Sequence, residues 1–535
     1  MRLPGAPIAL LVAAAVRGSA EDVVLHGRIV DAATGAALPA RLRVEGPGGK
    51  AHIVRSAHPE GTAVPYRKER GASSEVHTTL GAHDFAVELP PGTYTLTAER
   101  GKEYVPATER VTVEAGARPG IVTLRLRRWI DMAKEGWYSG DTHVHRPLAE
   151  LPNLLLAEDL NVAFPLTSWV TEAFQAPKAP EGAPGPDSIR VDATHLIHPR
   201  NTEYEIFTVG GRSHTLGAVF LLGHEQVFKR GVPPVKWVAE ATHREGGVIE
   251  LDKHNWPWSM AIIPVMEVDL YELSNNHIWQ APFGFKDWGE PAPEYMKVER
   301  DAGGFTEWGW IDYGFKNYYA LLDCGFRLRP TAGTASGVHP VPLGFGRVYV
   351  HCPAGLTYRA WLDGLNAGRS FVTTGPMLLA RVDGKLPGEV SRIPAGASPR
   401  PRLEIEAYSP APLEKIEVVV NGEVHRTLEP ANEAGESGAR RSAASLEVPI
   451  EGSSWLAVRA IERRPDGRVR FAHTAPFHFD VEGKPLRPRR AEAEFLVRRV
   501  EAEIARSREL LPPEALKEYE QALEAYRRAL ERARD

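Results

Sequence analysis

Cysteine is nearly missing from this chain. Only Cys324 and Cys352 occur among 535 residues, so disulfides do not organise the fold, and one bridge between them is the most that is open. Any apolar run of the roughly 20 residues needed to cross a bilayer is also absent. Positive charge is in no excess: 64 Lys and Arg stand against 69 Asp and Glu, a net charge of −5, with no dominant basic stretch. That balance argues against nucleic acid as a partner. What is present is an ordinary globular composition, 25% charged and 43% hydrophobic, in a chain long enough to predict about three or four domains.

The N-terminus has its own pattern. Arg2 is followed by the apolar run from Pro7 to Val16 and then by the small residues Gly18, Ser19 and Ala20. This order reads as a secretory signal over 1–20, cut after Ala20, and predicts a secreted or periplasmic protein with no integral membrane segment after cleavage. Residues 21–128 follow with short strand-like runs such as Val23 to Val30 and Phe85 to Leu89, separated by turn residues, which predicts a small antiparallel β-sandwich. Residues 377–482 are again β-rich, with Asn421-Gly422 as a hairpin signal and a Glu-, Gly- and Arg-rich loop over 430–442. Residues 483–535 carry apolar positions at helical spacing, Phe495, Leu496, Val500 and Ile504, then Leu516, Tyr519, Leu523 and Tyr526, broken by Pro512-Pro513. Two amphipathic helices in a hairpin, with a solvated Glu/Arg face, are expected there.

The centre, 129–376, differs from both flanks. It holds all but one of the 12 tryptophans, and Trp256, Trp258, Trp308 and Trp310 sit among loop-forming residues where they are candidates to line a pocket. It also holds Gly140-Asp141-Thr142-His143-Val144-His145. In a strand, residues i and i+2 project from one face, so His143 and His145 can reach one ion. Alone this is weak evidence, since 19 histidines in this length give roughly 0.7 such pairs by chance. Context adds to it. Asp141 is placed to hold the second nitrogen of a ligand histidine. Polar residues also recur at the ends of strand-like runs, in Ile249 to His254, Val268 to Asn276 and Arg327 to His339, as catalytic groups do in α/β barrels.

These motifs, in this order, resemble the PHP-type metal-dependent hydrolases, in their carbaryl-esterase-like secreted branch. The matching positions are Asp141, His143 and His145, then Glu203 with His214, then Gly246-Gly247 with His254, then Asp269, Glu272 and Asn275, and last Gly333-Thr334 with His339. Leu365 to Pro376 resembles the end of that domain. The N-terminal region resembles carboxypeptidase-regulatory-like modules, whose Pro-Gly-x-Tyr hairpin recurs as Pro91 to Tyr94, and no chemistry is expected in it. The resemblance implies a multidomain chain: a central α/β PHP-like domain (a distorted β/α barrel) flanked by two β-sandwich-like domains and a C-terminal helical hairpin.

It also implies a site. His143, His145, His254 and His339 would hold a divalent metal, zinc before manganese or iron, with Glu203 as ligand or base and His214 protonating the leaving group. Asp141 and Asn275 would support the ligands, and Arg200 and Arg212 would meet an anionic substrate. The reaction would be hydrolysis of an ester or phosphoester, in a small molecule or a polymer, by hydroxide formed on the ion. Two places depart from the family: Thr167-Ser168-Trp169 stands where a segment of Thr, acid and His is usual, and Ala335 replaces a metal-binding Asp. Less negative charge predicts fewer ions, a single zinc-like one suiting the nitrogen-rich remainder. The same departures, with the Trp-rich centre, leave open a non-catalytic protein that binds glycans or cell-surface polymers.

Overall fold

The computed structural model describes residues 22–116, 118–179, 185–279, 283–286 and 291–535. The signal-like segment 1–20 lies outside the described residues. Both cysteines are buried free thiols, so no bridge joins them. Among the described residues no helix is long and apolar enough to cross a membrane.

The chain is multidomain and mostly β, with several sheets and a few helices. Its N-terminal part packs a five-stranded sheet on a six-stranded one around Leu25, Leu42, Phe85, Leu96 and Leu124. It is not wholly antiparallel. The first strand, β1 (Val23–Asp31), pairs in parallel with the last of this part, Val122–Arg128. The whole intervening sandwich serves as the long crossover that parallel neighbours need. One hairpin, β2 (Ala63–Arg70) and β3 (Ser73–Leu80), belongs to this domain but reaches the central region.

In the central region β4 (Trp137–Val144) pairs in parallel with β5 (Val162–Pro165). A second, six-stranded sheet runs in the order β6 (Ser168–Glu172), β7 (Asn201–Val209), β8 (Arg212–Leu222), β9 (Val248–Leu251), β10 (Leu270–Ser274) and, after α1 (Glu307–Asp323), β11 (Arg329–Ala332). β9, β10 and the second half of β8 are buried throughout, the condition under which continuous apolar runs such as Ala218 to Leu222 suit a strand. The two sheets meet where β11 ends: Ala335 N donates to His143 O (2.7 Å), His145 N donates to Ser336 O (2.8 Å), and Val144 bridges Ser336 in parallel. At the other margin Leu166 N donates to Val144 O (2.8 Å).

Several expectations change. The sheet containing β4 does not stop at residue 376. It continues through β12 (Arg347–His351) and β13 (Ser370–Thr373) to Val469–Thr474 and Ser454–Arg463, so the second β-rich stretch shares its hydrogen-bond ladder with the centre. The loop expected over 430–442 includes paired backbone: Glu433–Ala434 pairs with the start of Arg440–Glu447, which pairs along its length with Arg402–Ser409. One of its charged residues, Arg441, is a cross-strand partner of Glu406 at 3.0 Å. Of the four tryptophans, Trp308 and Trp310 lie in α1, and Trp258 and Trp310 are fully buried, so these two are core.

The C-terminal helices, α2 (Arg490–Ser507) and α3 (Pro513–Glu531), form the expected hairpin but are not merely solvated. Trp258 Nε1 donates to Tyr519 Oη (2.7 Å), Tyr526 Oη donates to Met260 O (2.6 Å), and Val235 N and Lys236 N donate to the Glu518 carboxylate (2.7 and 2.9 Å). The hairpin thereby covers the two short helices (Trp258–Ala261 and Ile263–Met266) that connect β9 to β10. Replacing Tyr519 by Phe leaves the buried Trp258 N–H without its acceptor. We expect a loss of about 1–3 kcal/mol in urea unfolding, with metal content unchanged.

Candidate metal centre

The strand ends around the seam at His143 carry an unusual load of buried ionisable groups. His143 lies at the end of β4 and His145 just past it, and their Nε2 atoms lie 3.2 Å apart. His145 Nε2 is 3.3 Å from Glu203 Oε2, on β7. Two ligands bonded to one ion at about 2.0–2.1 Å with a tetrahedral angle between them stand about 3.3 Å apart. Both spacings fit that edge. Potential ligand atoms of His143, His145 and Glu203 all lie within 4.8 Å of one another.

Two further groups adjoin this one: His143 with Asp252 and Glu272, and Glu203 with Glu205 and Asp252. The alternation that pairs His143 with His145 pairs Glu203 with Glu205 on β7, and Glu250 of β9 with Asp252 just beyond it. Glu272 sits on the neighbouring β10, its oxygens 3.3 and 3.4 Å from His143 Nδ1. A carboxylate there fixes the ring so that Nε2 faces His145, a common way of orienting a metal-ligating histidine. That supporting role was expected of Asp141. Asp141 instead accepts from the backbone N–H groups of His143 (3.1 Å), Thr334 (3.2 Å) and Gly344 (3.0 Å) and from the Thr334 hydroxyl (2.5 Å). It ties β4 to the segment after β11.

Burial sets the electrostatics. It pushes the Glu203 carboxyl up to about 8, and the Glu205 carboxyl to about 8 with Glu203 beside it adding to the rise. Glu250 rises to about 8 and Asp141 to about 6 for the same reason. Burial also lowers His145 to about 4 and holds His143 well below the usual imidazole value, so both rings are neutral and keep a lone pair for an ion. Both Glu203 oxygens are buried without any hydrogen-bond partner. Unsatisfied buried carboxylate oxygens are costly in a native protein, and a cation between them and the imidazoles removes that cost. The donor set therefore fits a metal ion.

The other expected residues are placed differently. His339 lies at the rim, where Arg70 Nη1, from the N-terminal domain, donates to its Nε2 (2.7 Å). Tyr66 Oη of the same hairpin donates to His339 O and accepts from Gly337 N (3.0 Å). The sandwich expected to carry no chemistry thus borders the site. His254 is buried against Trp310 and Tyr313, its Nδ1 3.4 Å from Asn275 Nδ2 and its Nε2 unpartnered, and it joins none of the three ligand groups among the described residues. Asn275 Oδ1 accepts from His277 N (3.0 Å).

His214 is not brought to the cluster. It lies six residues along β8 from Phe220, the partner of Glu203, or about 20 Å of strand. There it meets Ser507 Oγ (2.9 Å) and Arg506 Nη1 (3.0 Å) of the C-terminal hairpin, a structural contact. His224, at the end of the same hairpin, also stays out of the cluster, bonding Thr202 Oγ1 (2.9 Å) and Gln226 O (2.7 Å). Arg212 is exposed at the β7–β8 turn, farther away still, and Arg200 donates to Glu225 O. Trp169 lies beside the site, its ring 5.1 Å from that of His145. Ala335, at φ 46°, contributes the backbone bond to His143 and no ligand.

No protein-family model matches the chain, and no curated protein matches it. Among solved structures it is similar to a two-domain protein from Bacteroides vulgatus described as containing a predicted PHP-like metal-dependent phosphoesterase. That likeness is at 11% identity and a TM-score of 0.28, covering 64% of this chain and 94% of that one. It is also similar to the β-glucuronidase of Parabacteroides merdae, at 9% identity and a TM-score of 0.16, covering 86% of this chain and 64% of that one.

A pH dependence follows from the raised carboxyls. Glu203 and Glu205 bind a proton more tightly folded than unfolded, so in metal-free protein they add stability below the ordinary carboxylate range, and that stability is lost as pH rises through about 8. Scanning calorimetry of metal-stripped protein between about pH 5 and about pH 9 is expected to show Tm falling, and added zinc to raise Tm most at the alkaline end.

Proposed function

We propose that this protein is a secreted, PHP-like metal-dependent hydrolase of esters or phosphoesters. The observation that carries the reading is the triad of buried His143, partly buried His145 and buried Glu203, with two neutral imidazoles and an unpartnered carboxylate at ligand spacing. The order of sequence motifs in 129–376 supports the carbaryl-esterase-like branch, and the signal-like residues at 1–20 support secretion. The seam between β4 and the segment after β11, together with the approach of β4 to residue 166, supports reading the two central sheets as one distorted β/α barrel.

A divalent ion, zinc before manganese or iron, supplies Lewis acidity and lowers the pKa of water bound to it. The residues of the chain do the rest. His143 and His145 present Nε2, and Glu203 presents a carboxylate oxygen. Glu272 takes the His143 Nδ1 proton in a hydrogen bond and so keeps Nε2 free. Arg70 places a guanidinium at the rim, within reach of an anionic ester group, and holds His339 there. Trp169 walls one side against water.

Metal analysis and a panel of aryl esters and phosphoesters test the reading together. Wild-type protein is expected to carry zinc or manganese and to lose hydrolysis with chelator. His143→Ala/His145→Ala is expected to lose both metal and activity. Glu272→Gln should weaken metal affinity by about 10–100-fold. His214→Gln, remote from the cluster, should leave kcat unchanged and lower only thermal stability. Wild-type protein that takes up no metal after incubation with zinc or manganese would sink the proposal.

A further inference from the structure

Beside the His143–His145–Glu203 triad lies an all-carboxylate group, and it already has a cation. Glu203, Glu205 and Asp252 bring oxygens within 4.8 Å of one another, and Glu203 belongs to both groups. Lys253 projects into them. Its side chain is 3% exposed, and its ammonium contacts the Asp252 carboxylate, lies 3.7 Å from Glu205 Oε1 and sits 4.3 Å over the Trp256 ring. A residue directly following an acid would ordinarily point the other way along an extended chain. Here the backbone at Lys253 takes φ 26°, near the left-handed region that residues with a Cβ seldom adopt, and Lys253 N donates to Asp252 Oδ1 (2.7 Å). The turn brings ammonium and carboxylate of adjacent residues together inside the protein.

We propose that the Lys253 ammonium takes the place of a second metal ion, so that the wild-type centre holds a single ion and loss of the ammonium opens a second site. This rests on the metal reading above. An ammonium is a point cation that needs acceptors, as a divalent ion does, and a buried one requires paired acids around it. Glu205 and Asp252 serve it directly, and Glu203 belongs both to their group and to that of the two imidazoles. The ligand atoms around it come from carboxylates, with the Trp256 ring on one side, unlike the nitrogen-rich triad, so the site opened by its removal suits a hard ion such as manganese better than zinc. The absent acid at Ala335 and the absent acid and imidazole of Thr167-Ser168-Trp169 then have a partner in Lys253. Fewer ligands and one built-in cation describe the same reduced centre.

Metal content of full-length protein, equilibrated with manganese and then freed of loose ion, decides the matter. Wild type is expected to hold about one ion per chain and Lys253→Ala about two, the added one bound through oxygen. Manganese paramagnetic resonance is expected to change from an isolated-ion signal to a spin-coupled pair. Lys253→Ser replaces the alanine variant should that fail to fold, as judged by circular dichroism. Two ions in wild type, or one ion in a folded Lys253 variant, overturns the inference while leaving the metal reading intact. No ion in wild type overturns both.

Discussion

The structure depends on burying a cluster of like-charged acids against neutral imidazoles and a single ammonium. Glu203 and Glu205 on β7, Glu250 on β9 with Asp252 just past its end, and Glu272 on β10 belong to one sheet, and His143 and His145 meet them from another. In water these groups would repel weakly; inside protein the lost hydration raises the carboxyl values, Glu203 and Glu205 to about 8, and neighbouring acids add to the rise. Such a cluster persists only where the surrounding fold holds it and cations compensate it. Lys253 is one such cation, and the geometry of the triad matches the requirement of another.

The scaffold answers with continuity. The ladder through β4, β12 and β13 passes without a break into the strands after residue 377, so the seam bearing His143 lies inside one long sheet and not at a free edge. Asp141 adds the cross-tie, with its two oxygens shared among four donors from three segments. On the opposite side α2 and α3 clamp the short helices that follow Asp252 and Lys253, through Trp258–Tyr519 and Met260–Tyr526. A centre of repelling charges is thus framed by hydrogen bonds that reach it from distant parts of the chain.

How much of this was legible in the sequence follows from range. Local patterns read well: the C-terminal hairpin from its apolar spacing and Pro512-Pro513, and the His143–His145 face from strand alternation. The same alternation, applied to acids, marks Glu203 with Glu205 and Glu250 with Asp252, but acids in strands are read as solvated unless the burial of both sheet faces is known. His214 and Arg212 could not be sorted from Glu203 by sequence. They share a hairpin, and only the register, Glu203 opposite Phe220 and Val209 opposite Arg212, shows how far apart they lie. The parallel pairing of β1 and the sheet crossing residue 376 were illegible for a related reason, because a strand's partner is chosen by surfaces far away in the chain.

The N-terminal domain is where that limit matters most for function. Its β2–β3 hairpin reads as an ordinary two-stranded element, and nothing in Tyr66 or Arg70 distinguishes them locally. In the fold Tyr66 bonds both His339 O and Gly337 N, and Arg70 bonds the His339 ring. Gly337, at φ 111°, has no room for a Cβ, since one would stand 2.3 Å from His145 O. The hairpin therefore packs on a rim segment that is itself pressed against the end of β4. A change in the docking of the sandwich would be transmitted through this segment to the backbone of His145, which makes the N-terminal domain part of the wall of the centre and the only source of a guanidinium at His339 among the contacts described.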